Sequence, residues 1–161
     1  MNFYALIPLA AAFINLFLWS YVFATRDRDT ISRAYLFFVA CAIGWEISDF
    51  FGWSNTSDTV SYWFLRLNTM FWMPGTFLYV NFLYHLLLKK RDALYWGTAI
   101  AVLILTPLAM VTNVSVEACR RTVWGCAVIP GPVYYPSLVL VTILPGIWTI
   151  IESARQYFKI E

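Results

Sequence analysis

The chain has 161 residues, 61% hydrophobic and 12% charged. Soluble domains carry about 45–50% apolar and about 25% charged residues, so the composition points to lipid as solvent and argues against a soluble catalytic domain. A net charge of +2 is too small to point to a nucleic-acid partner.

A bilayer core of about 30 Å needs about 20 apolar residues in a helix. Five segments qualify, at about 3–24, 34–53, 61–88, 94–112 and 135–158. They predict an all-α polytopic transmembrane bundle, forming a single domain over 1–161. No basic residues precede the first segment, and its apolar run continues past Ala10-Ala11-Ala12. An uncleaved first helix is therefore expected rather than a signal peptide. A short charged turn follows, with Arg26, Asp27, Arg28 and Asp29.

The second segment carries Cys41, expected to pack as a small hydrophobe, and two acids, Glu46 and Asp49. Three residues apart on a helix, the acids share a face. A charge in the bilayer costs at least about 2.5–3.5 kcal/mol on insertion scales. Each acid therefore needs a partner, water or a proton. Arg66, near the start of the third segment, is the nearest opposite charge, so an ion pair with Asp49 or Glu46 is expected. The functional alternative is a proton- or ligand-sensing cluster of the three.

The third segment contains Pro74-Gly75, the fourth Pro107 and the fifth Pro145-Gly146. These should kink or locally open their helices. Asn81 and His85 share a face of the third segment. A lone histidine could ligate a haem or chlorin from one side or hydrogen-bond a neighbouring helix. No second ligand is evident.

The connection at 113–134 holds Cys119, Cys126 and Ile129-Pro130-Gly131-Pro132. Its Pro and Gly rule out a continuous helix, and a cysteine-stapled hairpin fits. The two cysteines are candidate disulfide partners if the loop faces an oxidising compartment. Asn55-Thr56-Ser57 and Asn113-Val114-Ser115 match the glycosylation sequon, a short pattern that matters only in a eukaryotic host.

Basic residues set the expected orientation. Eight (Arg26, Arg28, Arg33, Lys89, Lys90, Arg91, Arg155, Lys159) fall on one side and three (Arg66, Arg120, Arg121) on the other. The bias puts the C-terminus in the cytoplasm, with the N-terminus and the cysteine loop outside. Tyr and Trp cluster near the expected helix ends, as an interfacial belt does. Trp19, Trp45, Trp72 and Trp148 sit deeper, to pack between helices or to stack on a planar ligand.

No nucleophile–base–orienter set, phosphate loop, Cys-x-x-Cys pair or His-rich metal pattern appears, so no enzyme and no metal are expected. No cofactor is required, although bound lipid or pigment would suit the aromatic content.

A series of residues carries a resemblance. Asn15 through Tyr21-Val22-Phe23 precedes a basic turn, and Arg33-Ala34 leads to Gly44-Trp45-Glu46. Arg66-Leu67-Asn68 precedes Met73-Pro74-Gly75, followed by Phe82-Leu83-Tyr84. Val111-Thr112-Asn113 and Gly131-Pro132-Val133-Tyr134 complete the series. In this the chain resembles the seven-helix membrane sensor region at the N-terminus of some bacterial histidine kinases. It departs in having five expected helices rather than seven, and no kinase domain. The resemblance implies a sensory module without its own output, in a bacterial inner membrane.

Three functions are weighed. The first is a non-catalytic accessory subunit, packed against other integral membrane subunits and lipids in a complex of electron-transfer or light-harvesting type. The second is a membrane-embedded sensory or ligand-binding module around Glu46, Asp49, Arg66 and the deep tryptophans, signalling through the fifth helix and Arg155-Gln156-Tyr157. A pocket near Glu46 open to the outer face would favour it. The third is a small transporter using Asn15, Glu46, Asn81 and Glu152 as stepping stones.

Overall fold

The computed structural model describes residues 3–27 and 29–158, apart from the side chains of Gln156 and Tyr157. Arg28 and Lys159, which enter the charge count above, lie outside the described residues, as do the side chains of Gln156 and Tyr157.

A 3-10 turn at Phe3–Ala5 leads into α1 (Leu6–Thr25). Pro8 falls in the first helical turn, where a missing N–H does least harm. The helix is apolar nearly all round, yet of its residues only Pro8 and Ala12 are buried. Such a helix needs an apolar solvent. Two polar contacts fix it to α2 (Thr30–Ser54): Asn15 Nδ2 donates to Glu46 Oε1 at 2.7 Å, and Trp19 Nε1 to the Leu36 carbonyl at 3.1 Å.

α2 starts where Asp29 accepts the Ser32 backbone N–H at 2.7 Å. That hydrogen bond, with Arg26 and Arg33 nearby, holds the Asp29 carboxyl below its usual range. α3 (Asp58–Leu86) returns antiparallel, capped by Ser57. Gly75 permits the close crossing of α2 and α3, since a Cβ there would lie 3.2 Å from Cys41 Cβ. The helix runs unbroken through Pro74. α4 (Ala93–Val111), capped by Asp92 and continuous through Pro107, packs on the opposite side of α3.

Four stretches are long and apolar enough to cross a membrane: Phe3–Thr25, Thr30–Ser54, Ala93–Val111 and Tyr134–Arg155. The expectation of five such segments needs correcting at α3, which is long enough but too polar. The reason is its place in the bundle. α3 touches α2, α4, both strands and α6, and it buries Ser61, Arg66, Asn68 and Thr69 against them. A central helix can be polar because its neighbours, not lipid, are its surroundings.

The all-α expectation also needs a correction, because the 113–134 connection folds as a sheet. β1 (Val116–Thr122) and β2 (Gly125–Pro130) pair antiparallel with an irregularity between Val116 and Ala118. Only Val123 and Trp124 lie between the strands. Gly125 has φ +121°, and a Cβ there would sit 2.8 Å from Trp53 Cα, so neither conformation nor space admits a side chain. The hairpin brings Cys119 and Cys126 into close contact, with Cα atoms 5.7 Å apart, as the expected pairing requires. The hairpin rests on α3 through Leu65, Val116 and Cys126. Arg121 ties it to the α2–α3 turn by binding Asp58 and the Asn55 carbonyl, and Trp124 meets Tyr4 at 4.2 Å.

The last rod begins as α5 (Tyr134–Ser137), widens into a π-helical stretch at Leu138–Ile143 and continues as α6 (Leu144–Tyr157). Pro145 has no N–H, and in a regular helix its ring would collide with the Val141 carbonyl. The π stretch occupies the turn preceding it, so the expected opening at Pro145-Gly146 takes this form.

Candidate functional site

The helix spacing directs two stripes toward one another. On α2, positions 38, 41, 42, 45, 49 and 53 fall along one side; on α3, positions 68, 69, 72, 76 and 79 do the same. α2 and α3 pack closely, but the α5–α6 rod stands off from α2 and leaves a cleft bordered by both stripes and the rod. Its hairpin-side part has a volume of about 490 Å³ and its inner part about 320 Å³. Trp45, Trp72, Thr76 and Thr142 line both parts, so the two adjoin across these side chains. Each part alone is within the range of about 300–1,000 Å³ usual for small-molecule sites.

The hairpin-side part is walled by Trp45, Trp53, Trp72 and Tyr134, with Asp49 and Asn68 as its polar groups and β2 above. The inner part reaches Cys41, Glu46, Gly75 and Gly146. Nothing lies within 4 Å of where a Gly146 Cβ would be. Cys41 is a free, half-buried thiol.

The acids do not have the partner expected of them. Asp49 Oδ1 accepts from Asn68 Nδ2 at 2.7 Å, and Glu46 Oε1 accepts from Asn15. Glu46 Oε2 is buried with no hydrogen bond. Arg66, 5% exposed, binds the carbonyls of Met110 and Thr112, the latter at 2.9 Å, and the Tyr62 hydroxyl at 3.2 Å. Its guanidinium lies 5.1 Å from the Trp63 ring centroid. The expected Arg66–acid ion pair is therefore corrected to an arginine capping the C-terminal end of α4, where carbonyls and the helix dipole favour a cation. Residues 66 and 68 project about 200° apart around a helix, so only one of them can face α2.

Asn81 accepts from the Tyr95 hydroxyl at 2.9 Å, which makes it an α3–α4 contact. His85, half-buried, sits in the last turn of α3. The four residues expected as stepping stones fall into separate pairs, Asn15 with Glu46, Asn81 with Tyr95 and Glu152 with Lys89. Asp58, Cys119 and Cys126 converge within 4.8 Å, with Asp58 already engaged by Arg121.

Sequence reasoning missed a cluster at the far end of the molecule from the hairpin. Lys89 Nζ lies 3.9 Å from the Trp148 ring centroid and pairs with Glu152 at 3.3 Å and Asp92 at 3.4 Å. Trp148 stacks on Tyr84 at 4.9 Å, and Tyr84 donates to Asp92. Burial alone would raise the Asp92 carboxyl; the Tyr84 hydroxyl, the Tyr95 N–H and Lys89 outweigh it and hold the group below its usual range. The signal was present, since a basic turn and the lone acid of the last helix fall at the same expected end.

Between α1 and α2 at this end lies another groove of about 310 Å³, apolar along Trp19, Leu36 and Phe37 with Arg26 and Arg33 at its rim. Comparison with protein-family models, curated proteins and solved structures finds no match for the chain.

Proposed function

We propose that the chain is a membrane-embedded ligand-binding module of sensory type, and that the cleft between α2, α3 and the α5–α6 rod is its ligand site. The observation that carries this reading is the cleft itself: an aromatic-lined space beside Asp49, with a second space adjoining it, where tight packing would have argued against a site. The bias of basic residues supports an orientation with the hairpin outside and the α6 end in the cytoplasm. The resemblance to histidine-kinase sensor regions agrees with a bacterial inner membrane and a separate signalling partner.

The route out of the site is local. Leu138 and Thr142 line the cleft and belong to the π stretch. Such stretches accompany functional sites. Converting π to α geometry moves the downstream helix by about one residue, roughly 1.5 Å and about 100°. That helix is α6, and its lower end is held by Lys89. A ligand that favours one geometry would thereby move Glu152 against Lys89 and deliver the change at Arg155.

The test uses the open space at Gly146. Gly146→Phe fills the inner cleft without a backbone collision. Among small amphiphiles screened by thermal shift in lipid nanodiscs, some should stabilise the native protein and not this variant. Equal shifts in both, or none in either, would overturn the reading.

A second reading is an accessory subunit, whose partner lays a transmembrane helix along the cleft or along α1. The nearly bare α1 favours it. A partner that co-purifies after gentle solubilisation and protects the cleft would support it; a stable lone monomer would count against it.

A further inference from the structure

Asp49 and Glu46 border a cleft that contains no basic side chain among the described residues. Neither the hairpin-side lining nor the inner lining includes Lys, Arg or His. The one arginine within reach in sequence, Arg66, is occupied by carbonyls at the end of α4. Each acid keeps one amide neighbour, Asn68 or Asn15, and Glu46 Oε2 is buried with no hydrogen bond at all. An ionised acid at this depth calls for a counter-charge, and the described residues lining the cleft do not supply one.

The walls show what kind of counter-charge would fit. Trp45, Trp53, Trp72 and Tyr134 line the space beside Asp49. Aromatic faces attract cations, tryptophan most strongly, and aromatic cages are a recurrent solution for substituted ammonium groups. A bare metal ion would instead need several oxygen ligands. An anion would meet two carboxylates. A sugar would find few polar groups beyond Asn68 and scattered threonines.

We propose that the cleft binds an organic cation, with its ammonium group between Asp49 and the tryptophans and its apolar body extending toward Gly146. This rests on reading the cleft as a ligand site. The inner part is mainly apolar, lined by Phe38, Phe71 and Val80 among others, and it suits a hydrocarbon or aromatic body.

The test measures binding to the full chain in nanodiscs by tryptophan fluorescence and calorimetry. Its probes are benzyltrimethylammonium and neopentylbenzene, the uncharged isostere in which carbon replaces nitrogen. The cation should bind saturably and about tenfold or more tighter than the isostere. Asp49→Asn keeps an acceptor for Asn68 and the same volume, and should remove most of that preference. Trp45→Leu, at a residue 45% exposed, should weaken the cation more than the isostere. If both probes bind equally and both are lost in Gly146→Phe, the ligand site stands and the cation assignment falls. If neither binds saturably, or Gly146→Phe changes nothing, both fall.

Discussion

Arg66 shows how one residue can hold an end of a helix in place. Buried to 5% exposure, it binds two carbonyls at the end of α4 and lies over Trp63. One guanidinium nitrogen, Nη2, donates to both carbonyls while Nη1 donates to the Tyr62 hydroxyl, and a single ammonium nitrogen cannot supply both arms in the same geometry. Arg66→Lys should therefore lower stability by about 1–3 kcal/mol, the scale of a lost charge-assisted hydrogen bond with a carbonyl left unpaired. Chemical denaturation in detergent checks this, and an unchanged midpoint would contradict it. Asp49→Asn, by contrast, should unfold like the native chain. The sequence made Arg66, Asp49 and Glu46 conspicuous because charge is rare in such a chain. Which face each residue occupies was not legible, because the pairing turns on helix rotation. At position 68 the side chain meets α2, and at 66 it meets α4. Asn68 went unnoticed as Asp49's partner because a neutral amide carries no such warning.

Among the elements, apolar length made the helices visible, and their ends fell within a few residues of expectation. Caps explain much of the remainder: Asp29, Ser57 and Asp92 each accept a backbone N–H at a helix start, and α2 begins four residues earlier than its apolar run. The hairpin register was not legible, since it depends on where Gly125 meets Trp53 and where Val116 meets Leu65. The π stretch was signalled only indirectly by Pro145. At the other end, Asp92 joins α3, α4 and the Lys89 cluster. Its folded carboxyl titrates below the ordinary value of about 3.9. A depressed folded value adds stability that is fully present above the unfolded value and is lost as the pH falls through the folded one. Asp92→Asn keeps the cap and removes the charge. The thermal midpoint difference between native and variant should be small but measurable at neutral pH, and should vanish as the pH drops below the ordinary carboxylate range. A difference independent of pH would remove the charge from this account.

For the whole molecule, an apolar bundle surrounds a polar central helix and leaves one side of that helix uncovered. α1 touches the rest mainly through α2. The α5–α6 rod is joined to α3 and α4 more than to α2, so the cleft results from how the helices are shared out. Composition told of lipid surroundings, but an open space cannot be read from residue types, only from which neighbours fail to meet. With the orientation proposed above, this space opens outward on the hairpin side. Leu138 lines its hairpin-side part. In the Cys41→Ser background, with Cys119 and Cys126 paired under oxidising conditions, Leu138→Cys provides a single free thiol in the cleft. A membrane-impermeant, cationic methanethiosulfonate added to sealed right-side-out vesicles should modify that thiol from the outer face. Modification only once the reagent reaches the inner face, or none before denaturation, would contradict the account.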